Sequence, residues 1–181
     1  YRYFIMEEYK MSEVFETLTE DYYYSDDLTV KSTDNPYILG KIIGPFMVME
    51  EDNGNGRWYE KSTIRQGILE KPYVKRMMAN KSLLGEAHHP ADRSNIYLDE
   101  SAICTVRLWE EGKYLMGEAD ILDTPKGRIC NTLARYGTKL GISSRANGKG
   151  VKQGGHLVIK PENYDFKTFD VVLNPGFDEA R

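Results

Sequence analysis

The chain has 181 residues, a formal net charge of −4 at pH 7, and is 40% hydrophobic and 29% charged. That length suits one domain, 1–181, with enough apolar material for a core, and the composition is that of a globular protein. The negative balance argues against a protein held to nucleic acid by phosphate contacts, and no apolar run approaches the roughly 18 residues that cross a bilayer.

No signal-peptide core opens the chain, although it starts at Tyr1 rather than Met and a leader could precede it. Residues 1–30 are acidic and rich in tyrosine ("EDYYYSDDLTV"). Within them 7–18 reads as a short helix, followed by an irregular or strand-like stretch. The apolar, β-branched segment 37–51 is broken by Gly40, Gly44 and Pro45, which predicts one or two strands with a bend or bulge. "DNGNG" (52–56) is a turn by composition. The next stretch, to residue 82, is helical in pieces, with Pro72 starting or kinking one of them. Residues 102–122 alternate on either side of Glu111-Gly112-Lys113 and predict a β-hairpin. Residues 124–141 predict a helix capped by Thr124, with Pro125 in its first turn and Gly141 closing it. Two strands, 156–160 and 168–174, then flank "PENYDFK". Strands dominate without strict β–α alternation, so the expected class is α+β or a β-barrel with helices.

Cys104 and Cys130 lie far apart, beside Ile103 and Ile129, and are expected to be buried free thiols in a reducing compartment. A structural zinc needs about four ligands at tight spacing, which His88, His89, His156 and two scattered cysteines do not supply. Neither a metal nor another cofactor is expected.

The chemistry-bearing stretches are "KLGISSRANG" (139–148) and "LLGEAHHP" (83–90). A serine nucleophile needs a base within hydrogen-bond reach, a third group to orient that base, and N–H donors facing the developing oxyanion. By itself the serine stretch is equally a serine-rich loop following a helix, and the histidines are equally loop residues at the surface. If the stretch before Pro90 is extended, His88 and His89 point to opposite faces and only one can meet a serine. Glu86 reads as a solvated charge, or as a group orienting a histidine or binding substrate. Asp170 stands in the apolar run "TFDVVLN", where an unpartnered carboxylate is costly, so it is the candidate orienter, with His156 as the alternative.

In order and spacing, "LLGEAHHP", "GISSRANG" and "FDVVLNPGF" resemble the tailed-bacteriophage prohead core proteases of the T4-like type, over roughly residues 38–178. The matching patterns are Gly-Glu-x-x-His-Pro, Gly-[Val/Ile]-Ser-Ser-Arg-Gly and an Asp-bearing strand followed by Pro. The resemblance implies a small, mostly antiparallel β-barrel surrounded by helices, related in fold to the herpesvirus protease assemblin. It implies an endopeptidase that cleaves scaffold, core and capsid proteins inside the procapsid, in the host cytoplasm, after glutamate and with self-processing. A homo-oligomer is left open, and neither nucleic acid nor membrane is required.

By that resemblance Ser143 is the nucleophile, His89 the base and Asp170 the third member. Ser144 and Arg145 offer N–H groups to the oxyanion, and Arg145 is also a candidate to bind substrate. Ala146 stands where the family pattern has glycine, which predicts a differently shaped loop after the arginine. The rival readings are an inactive procapsid assembly protein of the same fold, a Ser/His esterase, and a metal-dependent hydrolase.

Overall fold

The computed structural model describes residues 16–22, 29–31, 33–53 and 56–173. Among them, nine strands form two sheets. The first contains β1 (Glu16–Tyr22), β8 (Leu140–Gln153), β9 (His156–Leu173) and β4 (Arg57–Tyr59), in that order. The second runs β2 (Thr29–Lys31), β3 (Ile38–Val48), β7 (Tyr114–Leu122), β6 (Ser101–Glu111), β5 (Leu84–Glu86). All pairings are antiparallel except β4 with β9. Helices α1 (Lys61–Ile64) and α2 (Pro72–Ala79), joined by a π-helical turn, precede β5, and α3 (Pro125–Tyr136) precedes β8.

The α+β expectation holds. The closed barrel is not found among the described residues: β1 and β4 are edges of one sheet, β2 and β5 of the other. The sheets touch where β5 runs into β9, through a bridge between Ala87 and Val171 and a bond from the His88 N–H to the Val171 carbonyl, 2.6 Å. One bridge does not continue a ladder from sheet to sheet.

The core is a chain of aromatic rings that ties the sheets together. Phe46 of β3 meets Phe169 of β9 edge-on at 5.1 Å, Phe169 meets Phe166 at 4.8 Å, and Tyr164 meets Tyr59 of β4 at 5.6 Å. Such buried rings dominate core energetics, each removing a large apolar area from water. β5 approaches β9 so closely that a Cβ on Gly85 would lie 1.8 Å from the Phe169 carbonyl oxygen. Gly85→Ala is therefore expected to cost about 3 kcal/mol, since only backbone movement relieves the overlap. Urea midpoints at equal m-value would measure it.

Local chemistry explains where the elements start and stop. The predicted hairpin is β6–β7, with Gly112 at φ 61° in its turn. Gly40 and Pro45 border the two register shifts that the broken pattern of β3 predicts. Pro72 starts α2. Thr124 caps α3 by accepting the Gly127 N–H at 3.0 Å. Its C-terminus differs from expectation, because Gly137 rather than Gly141 ends the helix. Gly137 takes φ 99°, and the N–H groups of Gly137 and Thr138 return to the carbonyls of Ala134 and Leu133. Leu140 is thereby released into β8.

Three further expectations change. Of the helix expected over 7–18, residues 16–18 belong to β1 and the rest lie outside the described residues. The two late strands are one, β9, whose register jumps by several residues between the pairs Gly148–Tyr164 and Gly150–Ile159. Pro161, which has no N–H for a ladder, lies in that jump. The serine stretch is no loop, since residues 140–153 are strand and Ala146 is fully buried in the core. Its φ is negative, so the alanine fits where glycine was expected.

Candidate active site

Strand alternation divides the serine doublet between the two faces of the sheet. Ser143 lies opposite Asp170, and Ser144 opposite Phe169. Cross-strand partners share a face, so Ser144 points with Phe169 into the core, while Ser143 and Asp170 share the other face. The Ser144 hydroxyl is buried and has no hydrogen-bond partner. Arg145, two residues beyond Ser143, returns to the face of Asp170.

The third component arrives from β5. Gly85 lets that strand run against β9, and the Glu86 N–H donates to Asp170 Oδ1 at 2.7 Å. His88 then takes φ 77°, an uncommon conformation for a side-chain-bearing residue, so the backbone here is not the extended stretch expected. His88 is exposed. His89, next along, puts Nδ1 2.7 Å from Asp170 Oδ2 and Nε2 in hydrogen-bond contact with Ser143 Oγ. Ser143 and Asp170 have no exposed surface, and the His89 side chain is 11% exposed.

The electrostatics fix the tautomer. Asp170 Oδ1 accepts from the Glu86 N–H and from Arg145 Nη2 at 2.8 Å. Oδ2 accepts from Arg145 Nε at 2.9 Å and faces His89 Nδ1. A carboxylate offers about four acceptor sites, and here all four are in use. Nδ1 of His89 must then be a donor, which leaves the Nε2 lone pair directed at the serine hydroxyl. An imidazole oriented this way can take the proton of Ser143.

Arg145 does not match the substrate-binding expectation. Its guanidinium is fully buried and committed to Asp170, with Nη1 donating to the Asn95 carbonyl at 3.1 Å. Ser144 and Arg145 were also expected to offer two N–H groups to one oxyanion. Both lie in β8 between β1 and β9, and successive N–H groups of a strand point to opposite edges. Only one of the two can face the β1 edge. His156 is remote from the serine, at the hairpin end of β8–β9, where it meets Asp52 at 2.8 Å and packs on Trp58.

Sequence reasoning missed the group that holds the clamp. Glu86 is buried rather than solvated, and its carboxylate receives both arms of Arg93, at 2.8 and 2.9 Å, and the Tyr97 N–H at 2.6 Å. The Arg93 guanidinium lies 3.7 Å from the centre of the Tyr97 ring. Glu86 Oε2 also stands 3.5 Å from Arg145 Nη2, so two carboxylates and two guanidiniums alternate beneath the imidazole. Only the requirement that a buried glutamate find a cation would have pointed to Arg93.

The cysteines take no part. Both are free and buried, and burial pushes each thiol up to about 11. Thiolate is scarce at pH 8 under that condition. Iodoacetamide at pH 8 is expected to leave both unmodified in the native chain and to modify both in urea, as peptide mass mapping would report.

A buried carboxylate, an imidazole and a serine hydroxyl in line make up the constellation of serine hydrolases. The chain belongs to the prohead core protein serine protease family, whose model matches residues 21–180. Its fold is similar to that of the bacteriophage T4 capsid assembly protease, gp21, with a TM-score of 0.70 at 21% identity, covering 87% of this chain and 98% of that one. No curated protein sequence matches it.

Proposed function

We propose that this chain is a serine endopeptidase that cleaves phage core and capsid proteins as the prohead matures, inside the procapsid in the host cell. The observation that carries the reading is the imidazole of His89, bonded to Asp170 through one nitrogen and to Ser143 through the other. Ser143 attacks the scissile carbonyl as His89 takes its proton. Asp170 holds the imidazolium, which then protonates the leaving amine, and water releases the acyl-enzyme. One oxyanion donor is the N–H of Ser144 or Arg145, whichever faces the β1 edge.

Cleavage after glutamate and self-processing belong to the same proposal, as does the kinship of the fold with assemblin. The cation that would read a glutamate is a residue other than Arg145, whose guanidinium is already committed. Incubation with purified prohead core and capsid proteins tests the reading, with fragment masses reporting which bonds break. New termini that follow glutamates are the expected result. Fragmentation at unrelated residues would remove the specificity, and no fragmentation would favour the inactive assembly protein. The burial of Ser143 is the one observation in favour of that rival.

A further inference from the structure

Ser143 has no exposed surface, so the resting structure leaves a peptide carbonyl no path to it. On one side of the serine stands β9 with Asp170, and over its hydroxyl sits His89. The remaining approach is the other edge of β8, where β1 lies. β1 pairs residue for residue with Ile142–Gly148 without a register shift, and Asp21 stands opposite Ser143.

We propose that this edge of β8 is the docking site for the substrate, which adds there as an extended antiparallel strand in the place of β1. The proposal rests on the reading of Ser143 as nucleophile. A strand edge presents alternating N–H and C=O groups that pair with any extended backbone, so affinity comes from the main chain and specificity from side chains. β1 demonstrates that the edge accepts such a strand as far as the serine. It also makes the N-terminal segment a tethered competitor. An intramolecular strand acts at an effective concentration in the millimolar range, so a substrate must displace it or meet the chain after it has left.

Thr17 and Asn147 are register partners on the two strands, within the Cα separation that a disulfide spans. In a T17C/N147C variant the native thiols are too buried to compete. The reduced form of this variant sets the reference rate on a core-protein substrate, since Asn147 lies on the docking edge itself. The oxidised form should lose at least about tenfold, and reductant should restore it, because the lock turns a transient competitor into a permanent one. A verified disulfide that leaves cleavage unchanged overturns the proposal, and so does failure of the two cysteines to join under mild oxidation. A second variant, L18P/T19P, removes two successive N–H groups, one of which must face β8. It should cleave faster than wild type while still melting cooperatively, and an unchanged or slower rate speaks against β1 as a competitor. Cleavage by every form alike sinks the docking site and leaves the protease reading standing. No cleavage by any form, with no labelling by a fluorophosphonate, sinks the protease reading and takes the docking site with it.

Discussion

Ser143→Ala is expected to lower peptide-bond cleavage by about 10⁴-fold or more, because the nucleophile and its base act as a unit and little survives the loss of either. Ser144→Ala is expected to stay within about twofold of wild type, since the backbone N–H that could face an oxyanion survives the change. The two serines are adjacent in sequence but lie on opposite faces of β8, one against His89 and the other against Phe169. The Ser144 hydroxyl is buried without a partner, so its removal should also leave thermal stability level or slightly raised. Rates on one core-protein substrate and melting curves on both variants would measure these effects. Activity retained in Ser143→Ala and lost in Ser144→Ala would reverse the assignment.

Arg145→Met is expected to lower stability by about 3–5 kcal/mol, the cost of leaving one member of a buried ion pair without the other. Asp170 would keep the Glu86 N–H and His89 but lose both arms of the guanidinium. Arg145→Lys should recover only part of the loss, since an ammonium cannot reproduce the two parallel bonds of the fork. The same clamp changes what Asp170→Asn would report. That substitution should lower kcat by on the order of 10⁴-fold through the tautomer of His89, and it should also leave Arg145 without its countercharge. Urea denaturation of both single variants and of R145M/D170N separates the two effects. Coupling within the pair should make the double variant more stable than the sum of the single losses allows. Simple additivity would show that the two side chains do not depend on each other.

The elements governed by short-range chemistry were legible in the sequence. The β6–β7 hairpin follows from alternation around Gly112, and the start of α3 from Thr124 and Pro125. The end of α3 was not, because Gly137 and Gly141 are equally able to close a helix and only the start of β8 decides between them. Ser143 and His89 could be named from motifs in order, and Asp170 with His156 left as its alternative. Their meeting depends on features with no local signal: the register of β8 on β9, and the close pass of β5 that Gly85 permits. Arg145 looked like a substrate contact because a charged residue beside a serine in a loop would reach solvent. In a strand, two residues on from Ser143, it returns instead to the face of Asp170. Glu86 looked solvated for the same reason, since its partner Arg93 lies in a stretch without periodicity.

The most direct test of the assignment is a fluorophosphonate applied under conditions in which the chain cleaves its substrate, with the modified residue located by peptide mass mapping. The account predicts an adduct on Ser143 in the wild type, with labelling slowed by orders of magnitude in His89→Ala. An adduct on Ser144, or labelling of His89→Ala as fast as wild type, would contradict it.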